Sequence, residues 1–505
     1  MKFIFLNICC YIFFYPLGYA QSTWFRIHDL GFAVEEPWAV CNLGKDFVII
    51  TSSSDNVPIT RNEVIMINQF GEMKWRKLLF YPISAHADLG EYYSTKLVIS
   101  KDSFIYSLSA SQNWEGEQEF LINKFDKSGN LVWYKTYGIV GKYILPGSQG
   151  LTLAQDSLGI IMTGSDLGSG KLAVCQIDSS GEAIWHKVVG VPVAGNVGLF
   201  TPVVNLSDRS IKVAYDNNTI NSYKDYLVSL DSNGNLEYTY ANPLTGKTHD
   251  LQLHPNGNLV YLSNERNPPM FENGGLRIQM LTPDFDTVWS HLFYDTQFPY
   301  LFLESAFVRN LSISPDGKIL ALGYNVNNCI LLCYAPDGTL LWKREVALEG
   351  FDQLKFNYVT WASDGGILLD GFIYGEDENN QYYQKTFFLK LDDVGCLQPG
   401  CQQTIITDAR EIAQVQGDFD ISPNPSQGEI EIRYKGTDLH LLENVQVSVH
   451  DANGKLVIQG KFAMNNPQLS LNLLAAGIYM ISINDGNGVL SSSKLLQSGK
   501  ILIVH

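Results

Sequence analysis

The chain has 505 residues, of which 45% are hydrophobic and 17% charged, and its formal net charge is −17 at pH 7. This length exceeds what one ordinary hydrophobic core supports, so it predicts several domains or a repeat architecture. The acidic balance argues against nucleic acid as a partner, because phosphate binding requires a surface rich in lysine and arginine.

The first twenty residues, MKFIFLNICCYIFFYPLGYA, combine one lysine, an apolar run and a small-residue end before Gln21. This pattern predicts a signal peptide at 1–20, and the alternative is a membrane anchor that stays attached. No later segment is apolar for the roughly 18 residues that a membrane-spanning helix needs, so no transmembrane segment is predicted after signal cleavage. The mature chain is therefore expected to be exported.

A repeat of just over fifty residues follows the signal peptide. Period-two apolar patterns broken by Asn-Gly, Asp-Gly and Ser-Gly turns predict an all-β chain. In six units a hairpin turn is followed, four residues after its glycine or Phe285, by an aromatic residue: Trp75, Trp133, Trp185, Tyr238, Trp289 and Trp342. Each unit divides into four strands, as in NLSIS, KILALG, CILLCYA and TLLWKREV at 310–346. Four antiparallel strands in a repeat of this length are typical of one β-propeller blade.

The last unit lacks its fourth strand. It ends at TFFLKLDDVGC, whereas the N-terminal segment TWFRIHDLG at 23–31 resembles a fourth strand and places Trp24 one period before Trp75. We therefore predict that the N-terminal strand 23–31 completes the last blade, because an open array would leave two unpaired strand edges. Residues 21–401 are then predicted to form a seven-bladed β-propeller. We interpret the aromatic residues as filling the wedge between blades, with sugar-stacking residues as the alternative.

These tryptophan-bearing units resemble the quinoprotein-like and WD40-like bacterial propellers. The resemblance covers most of the chain and implies a fold but no activity.

Six cysteines remain after the signal peptide. Cys396 and Cys401, in CLQPGC, are predicted to form a small disulfide loop in an oxidising compartment. The alternative is a metal-binding pair, but no second Cys or His pair with zinc spacing accompanies it. Cys329 and Cys333 lie four positions apart on one predicted strand, too far to bridge each other.

The C-terminal part has a different character. Residues 402–417 are polar and lack turn motifs, which predicts a linker. Residues 418–505 contain some seven short alternating segments, including a hairpin around Asn453-Gly454, and predict a small β-sandwich that is immunoglobulin-like in scale.

Several motifs of this module resemble, in order, the type A C-terminal sorting domain of type IX secretion system cargo from Bacteroidetes. The matching residues are Pro423, Asn424, Pro425, Gly428, Gly454, Gly477, Tyr479 and Lys500. Both SSSKLLQ and SGKILIV fit the family's final strand. The resemblance implies passage through the secretion translocon, removal of the domain by its sorting protease, and a passenger that is secreted or attached to the cell surface. An accessory sandwich without a sorting role is the alternative.

The sequence contains no Gly-x-Ser-x-Gly elbow, His-Glu-x-x-His helix or phosphate loop. Acidic clusters at 115–119 and 375–379 are interpreted as solvated loop residues, with catalysis as the alternative. His86, Asp88 and Glu91 form a further loop cluster, but a second histidine for a metal site is missing. We therefore predict no catalytic residues, no metal and no cofactor.

In a propeller, the loops between second and third strands and between successive blades surround one mouth of the channel. Here these loops carry aromatic side chains among polar residues, which suits a glycan or peptide ligand: Trp114, Tyr223, Phe271, Tyr382 and Tyr383. The first hypothesis is thus an exported binding or adhesion propeller without catalysis. The second is a secreted hydrolase or lyase acting on polysaccharide or peptide through mouth acids such as Glu376 and Asp377. A quinone- or metal-dependent oxidoreductase is a third.

Overall fold

A computed structural model describes the following residues: 23–28, 30, 34–54, 61–79, 94–112, 118–155, 159–190, 201–219, 222–242, 246–266, 274–293, 311–325, 328–348, 353–376, 382–397, 401, 404–406, 419–422, 426–434, 445–450, 456–461, 468–485 and 495–503. Every helix or strand among them is a β-strand, which confirms the all-β prediction. The described residues accordingly include no helix long and apolar enough to cross a membrane.

After β1 (Trp24–His28), strands follow in groups that we call units. The first unit comprises β2 (Val34–Leu43), β3 (Asp46–Ser54), β4 (Arg61–Ile67) and β5 (Met73–Leu78). The second comprises β6 (Ser94–Ile99), β7 (Ile105–Gln112), β8 (Gln118–Phe125) and β9 (Leu131–Tyr137). The third comprises β10 (Ile144–Leu153), β11 (Gly159–Asp166), β12 (Lys171–Asp178) and β13 (Ala183–Val189). Within each unit neighbouring strands pair antiparallel.

The fourth unit comprises β14 (Val203–Asn205), β15 (Ile211–Thr219), β16 (Ser222–Leu230) and β17 (Leu236–Ala241). The fifth comprises β18 (Gly246–Leu253), β19 (Leu259–Arg266), β20 (Gly274–Leu281) and β21 (Thr287–Phe293). The sixth comprises β22 (Leu311–Ile313), β23 (Ile319–Asn325), β24 (Asn328–Tyr334) and β25 (Leu340–Leu348). The seventh comprises β26 (Gln353–Trp361), β27 (Ile367–Glu376) and β28 (Tyr382–Leu391).

The N-terminal strand lies in the seventh unit. β1 pairs antiparallel with β28, from Trp24 opposite Lys390 to His28 opposite Thr386. The chain then enters β2, where Val34 pairs with Gln384 of β28. The two ends of the repeat region therefore share one sheet.

The first strands of the units lie side by side around a common axis. Each contacts the first strand of the next unit, in the order β2, β6, β10, β14, β18, β22 and β26, and β26 contacts β2 again. Apolar side chains fill the space between neighbouring sheets. In the cluster between the sixth and seventh units, for example, Ile27 of β1 packs with Val346 and Phe387. Burial between sheets is the main stabilising contribution that this arrangement offers.

The repeated aromatic residue occupies one position throughout. Its ring lies against the turn that precedes the fourth-strand position of the following unit. A Cβ added to Gly129 would stand 2.9 Å from the Trp75 ring, and Gly129 has φ 78°, so both the contact and the backbone favour glycine there. The equivalent pairs are Trp24–Gly71, Trp133–Gly181, Trp185–Gly234, Trp289–Gly338 and Trp342–Gly395.

The contact between the fourth and fifth units has a different residue at both positions, with Tyr in place of Trp and Phe in place of Gly. Tyr238 meets Phe285 edge to face, with ring centroids 5.6 Å apart, and Phe285 adopts φ 71° although it is not glycine. The Phe285 side chain is almost completely buried. Burial of this large ring offsets the backbone cost that a bulky residue has in the left-handed region.

The remaining strands follow the repeat region. They are β29 (Thr404–Ile406), β30 (Phe419–Ser422), β31 (Glu429–Tyr434), β32 (Val445–His450), β33 (Leu456–Lys461), β34 (Gln468–Ser470), β35 (Gly477–Asp485) and β36 (Leu495–Ile503). The last seven form two sheets, with orders β30-β31-β34 and β33-β32-β35-β36. Ile430 and Ile432 of one sheet pack with Val447, Val449 and Ile481 of the other. β29 lies within the predicted linker and pairs with β25.

Candidate functional site

The first strands of the units line an open cavity of about 470 Å³. Its wall is built from β2, β6, β10, β18, β22 and β26. A second cavity, of about 280 Å³, adds β14 to the wall and shares four lining residues with the first: Lys96, Thr152, Leu153 and Gln252. Both cavities are bounded by the first strands, which surround the axis. We therefore call the two cavities together the axial cavity.

Polar side chains in and beside this wall join neighbouring units. Cys41 Sγ donates to the carbonyl of Leu97, 3.1 Å away, and links the first unit to the second. Gln252 Nε2 donates to the carbonyl of Leu311 at 2.6 Å and links the fifth unit to the sixth. Each first strand has one edge that faces the axis, where a backbone carbonyl needs a donor from elsewhere.

Similar bonds connect other units. Gln155 Nε2 donates to the carbonyl of Asn205 at 2.7 Å, from the third unit to the fourth. Asn357 Nδ2 donates to the carbonyl of Pro37 at 2.8 Å, from the seventh unit to the first. The Cys41 and Gln252 bonds are equivalent, because donor and acceptor occupy the same strand positions in the two pairs of units. Gln155 and Asn357 donate from other positions, so the axis is less regular than the aromatic joints.

The axial cavity carries one cation and one anion among its described lining residues, Lys96 and Asp250. Lys96 is half-buried, and its Nζ lies 3.5 Å from the carbonyl of Gln149. Asp250 is buried and accepts hydrogen bonds from the Leu251 N–H at 2.8 Å and from Gln252 Nε2 at 2.9 Å. The wall thus offers opposite charges and amide groups to a polar molecule.

Cys41 is the cavity's one described residue with a nucleophilic sulfur. Burial raises the pKa of its thiol to about 11, against a smaller lowering by the nearby charge of Lys96. The group is therefore protonated at neutral pH, and a thiol is a poor nucleophile compared with a thiolate. In the described part of the chain, no three His, Cys, Asp or Glu side chains come together as a metal site would require.

Three of the five predicted mouth residues, Tyr223, Tyr382 and Tyr383, lie among the described residues. Trp114 and Phe271 lie outside the described residues, as do Asp377 and the cluster of His86, Asp88 and Glu91. Tyr223 lies on β16, with its backbone opposite Asn218.

Tyr382 and Tyr383 begin β28. Tyr382 is 78% exposed and pairs in register with Glu376, the predicted mouth acid. Tyr383 is half-buried, and its ring lies against Gly375. These two tyrosines and the axial residues remain separate groups, because neither tyrosine lines the axial cavity.

The sequence analysis did not single out Lys96, Asp250 or Gln252. Lys96 lies in STKLVIS, and a lone lysine in an apolar strand is the one local signal that marks it. The other two follow no motif, and they are brought to the cavity by the arrangement of the units.

The predicted disulfide between Cys396 and Cys401 is confirmed, with Cα atoms 5.6 Å apart. The other described cysteines are free thiols: Cys41, Cys175, Cys329 and Cys333.

The described sorting-motif residues stabilise turns and strand starts. Gly428 has φ 111°, its N–H donates to Ser426 Oγ at 3.1 Å, and its carbonyl accepts from the Leu471 N–H at 2.6 Å. Gly477 begins β35, and the Tyr479 hydroxyl donates to the Ala475 carbonyl at 3.0 Å.

Lys500 lies on β36 with its backbone opposite Met480. β36 includes LLQ as well as SGKILI, so one strand contains parts of both candidate final segments. Pro423, Asn424, Pro425 and Gly454 lie outside the described residues.

Residues 420–497 match the family model of the secretion system C-terminal sorting domain. The match confirms the domain that the motifs predict. No curated protein matches the chain.

Solved structures that resemble it include a protein of unknown function from Dyadobacter fermentans, at 9% identity and TM-score 0.43, covering 73% of this chain and 98% of that one. The polysaccharide lyase Uly1 follows at 12% identity and TM-score 0.42, covering 70% and 89%. The β-propeller domain of the Trilobed protease from Pyrococcus furiosus has 12% identity and TM-score 0.41, covering 71% and 98%.

Proposed function

We propose that this type IX secretion system cargo, which is secreted or attached to the cell surface, is a non-catalytic ligand-binding protein. In this proposal residues 1–20 are a signal peptide, the seven units form a closed seven-bladed propeller, and residues 418–505 are an immunoglobulin-like sorting sandwich. The pairing of β1 with β28 and the return of first-strand contacts from β26 to β2 support the closed propeller. The expected source is a member of the Bacteroidetes.

The axial cavity is the observation that carries the binding function. It has the volume of a small-molecule site, and its wall combines apolar strand residues with a few polar groups. Lys96 provides a positively charged hydrogen-bond donor and Asp250 a negatively charged hydrogen-bond acceptor. This pair suits a sugar or a peptide segment that has both acceptor and donor groups. The protonated thiol of Cys41 favours binding over nucleophilic chemistry at this site.

Glycan and peptide arrays probed with the purified chain test this function. We expect binding to a polar glycan or peptide without release of products. In the Lys96→Met variant we expect binding of the same probe to weaken roughly tenfold or more, because a hydrogen bond to a charged group is lost. Lys74→Met is the matched control, since Lys74 lies on the outer strand β5, where it forms an exposed ion pair with Asp46.

The array results have distinct meanings. Arrays without any bound probe, or unchanged binding by Lys96→Met, contradict the axial site. Binding that depends on Tyr382 and not on Lys96 places the ligand at the mouth and also contradicts it. Product release from a bound polymer contradicts the non-catalytic assignment and supports the hydrolase or lyase alternative.

A further inference from the structure

The chain leaves the seventh unit differently from every other unit. In the first six units, the turn after the third strand leads directly into a fourth strand. After β28 the fourth-strand position is held by β1 instead. The turn itself is retained, because the Cys396 N–H donates to Asp392 Oδ1 at 2.7 Å and the Cys396 carbonyl accepts from the Asp392 N–H at 2.9 Å. The chain beyond Cys396 must therefore take another route.

That route runs back to the sixth unit. Leu397 packs against the buried cluster that contains Val346, as does Trp342 of the same strand. The disulfide joins Cys396 to Cys401, and β29 begins three residues later. β29 pairs parallel with the end of β25, placing Thr404 opposite Val346, and likewise Ile405–Ala347 and Ile406–Leu348.

β25 differs from the other outer strands in two respects. It has nine residues, whereas β5, β9, β13, β17 and β21 have six or seven. Within the described residues it is also the one outer strand among these to which a further strand is added. β29 pairs with the last three residues of β25, so the part by which β25 exceeds the other outer strands is the part that β29 covers.

We propose that the strap, by which we mean residues 396–397, 401 and 404–406, fastens the end of the seventh unit to the outer edge of the sixth, and that the Cys396–Cys401 disulfide holds it in place. A three-residue strand has too few contacts to order itself against its conformational entropy. The disulfide offsets part of that cost, because it limits the conformations of the open strap. The strap covers a sheet edge that otherwise offers backbone groups to other chains. It belongs to the repeat region, although its last residues lie in the predicted linker.

Amide hydrogen exchange on the purified full chain tests the strap. The comparison is between the oxidised chain and the Cys396→Ser/Cys401→Ser variant, in which the covalent link is absent and side-chain volume is nearly kept. We expect roughly tenfold faster exchange at residues 346–348 and 404–406, toward the lower end of what a disulfide constraint supplies. Exchange in β13, on the third unit, is the internal control and should not change.

A second variant separates the strand from the disulfide. Ile405→Pro leaves both cysteines in place and removes a backbone donor from the middle of β29. We expect it to raise exchange at residues 346–348 as the double serine variant does. Unchanged exchange at 346–348 in both variants overturns the proposal. An equal increase in β13 also overturns it, because the cysteines would then stabilise the whole region and not the strap.

Discussion

The repeat region has two kinds of contact between units: at the rim, formed by the fourth strands and the turns before them, and at the axis, formed by the first strands. At the rim, each joint places an aromatic ring on a turn of the next unit, and glycine occupies that turn in six of the seven joints, with Phe285 in the other. At the axis, the joints are side-chain hydrogen bonds to backbone carbonyls. Cys41 and Gln252 donate from equivalent strand positions although they are different residue types. Gln155 and Asn357 donate from other positions. The contrast is that the residue type is nearly constant at the rim joints, whereas it changes from unit to unit at the axis, where the proposed ligand site lies.

The rim joints should dominate stability. Trp185 packs against the cluster between the third and fourth units and against Gly234. We expect Trp185→Ala to lower the free energy of unfolding by about 3 kcal/mol, at the low end for loss of a large aromatic residue because Trp185 is partly exposed. Urea unfolding measures the change.

Ile184→Ala is the control for this prediction. Ile184 is adjacent on β13 but 56% exposed, and we expect a change within about 0.5 kcal/mol. Equal effects of the two substitutions would contradict a special role for the aromatic joint.

The turn glycine should have the next largest effect. Gly234 has φ 75°, and a Cβ there would stand 2.6 Å from the Trp185 ring. Gly44 has φ 64° with nothing within 4 Å of an added Cβ. We expect Gly44→Ala to cost about 1 kcal/mol, from the left-handed backbone alone, and Gly234→Ala to cost about 1–2 kcal/mol more, because the ring must move. Thermal or urea unfolding of both variants separates the two contributions, and equal losses would show that the ring adjusts freely.

Much of the rim was predictable from the sequence, and little of the axis was. The spacing of the aromatic residues and the N-terminal strand that contains Trp24 could be predicted from the sequence, because the same spacing recurs in every unit. A recurring pattern remains recognisable even where single units differ from it. Tyr238 and Phe285 deviate as a pair, yet their positions still fit the period. Gln252 occupies the strand position that Cys41 has in the first unit, but the residue type changes. No recurring residue therefore marks Gln252 or Asp250 as part of the cavity. The pairing of β29 with β25 also lacks a local signal, because parallel partners are joined by no hairpin turn.

The smallest effect concerns the turn carboxylates. Hydrogen bonds from Asn235 lower the pKa of Asp231 below the ordinary value. The bond from the backbone N–H has the larger effect, and the bond from the side-chain amide has the next largest. Similar turn bonds lower the pKa of Asp126 and Asp178. Because the folded-state pKa is the lower one, this contribution is present above the unfolded pKa of about 3.9 and is lost as the pH falls through the folded value.

We therefore expect the urea midpoint to decrease slightly below about pH 4, and to decrease less in an Asp126→Asn/Asp178→Asn/Asp231→Asn variant. The effect is small because these carboxylates are exposed to solvent. An identical pH dependence in both proteins would contradict this role of the turns.

The shared seventh unit is the point on which the proposed closed propeller depends, and a cross-link tests it most directly. His28 of β1 lies opposite Thr386 of β28. Opposite residues of an antiparallel pair lie within reach of a disulfide. In a His28→Cys/Thr386→Cys variant, we expect oxidation to join the peptides that contain these two positions, as detected by mass spectrometry. A folded variant in which position 28 remains unlinked, or links elsewhere, would show that the N-terminal strand does not complete the last unit.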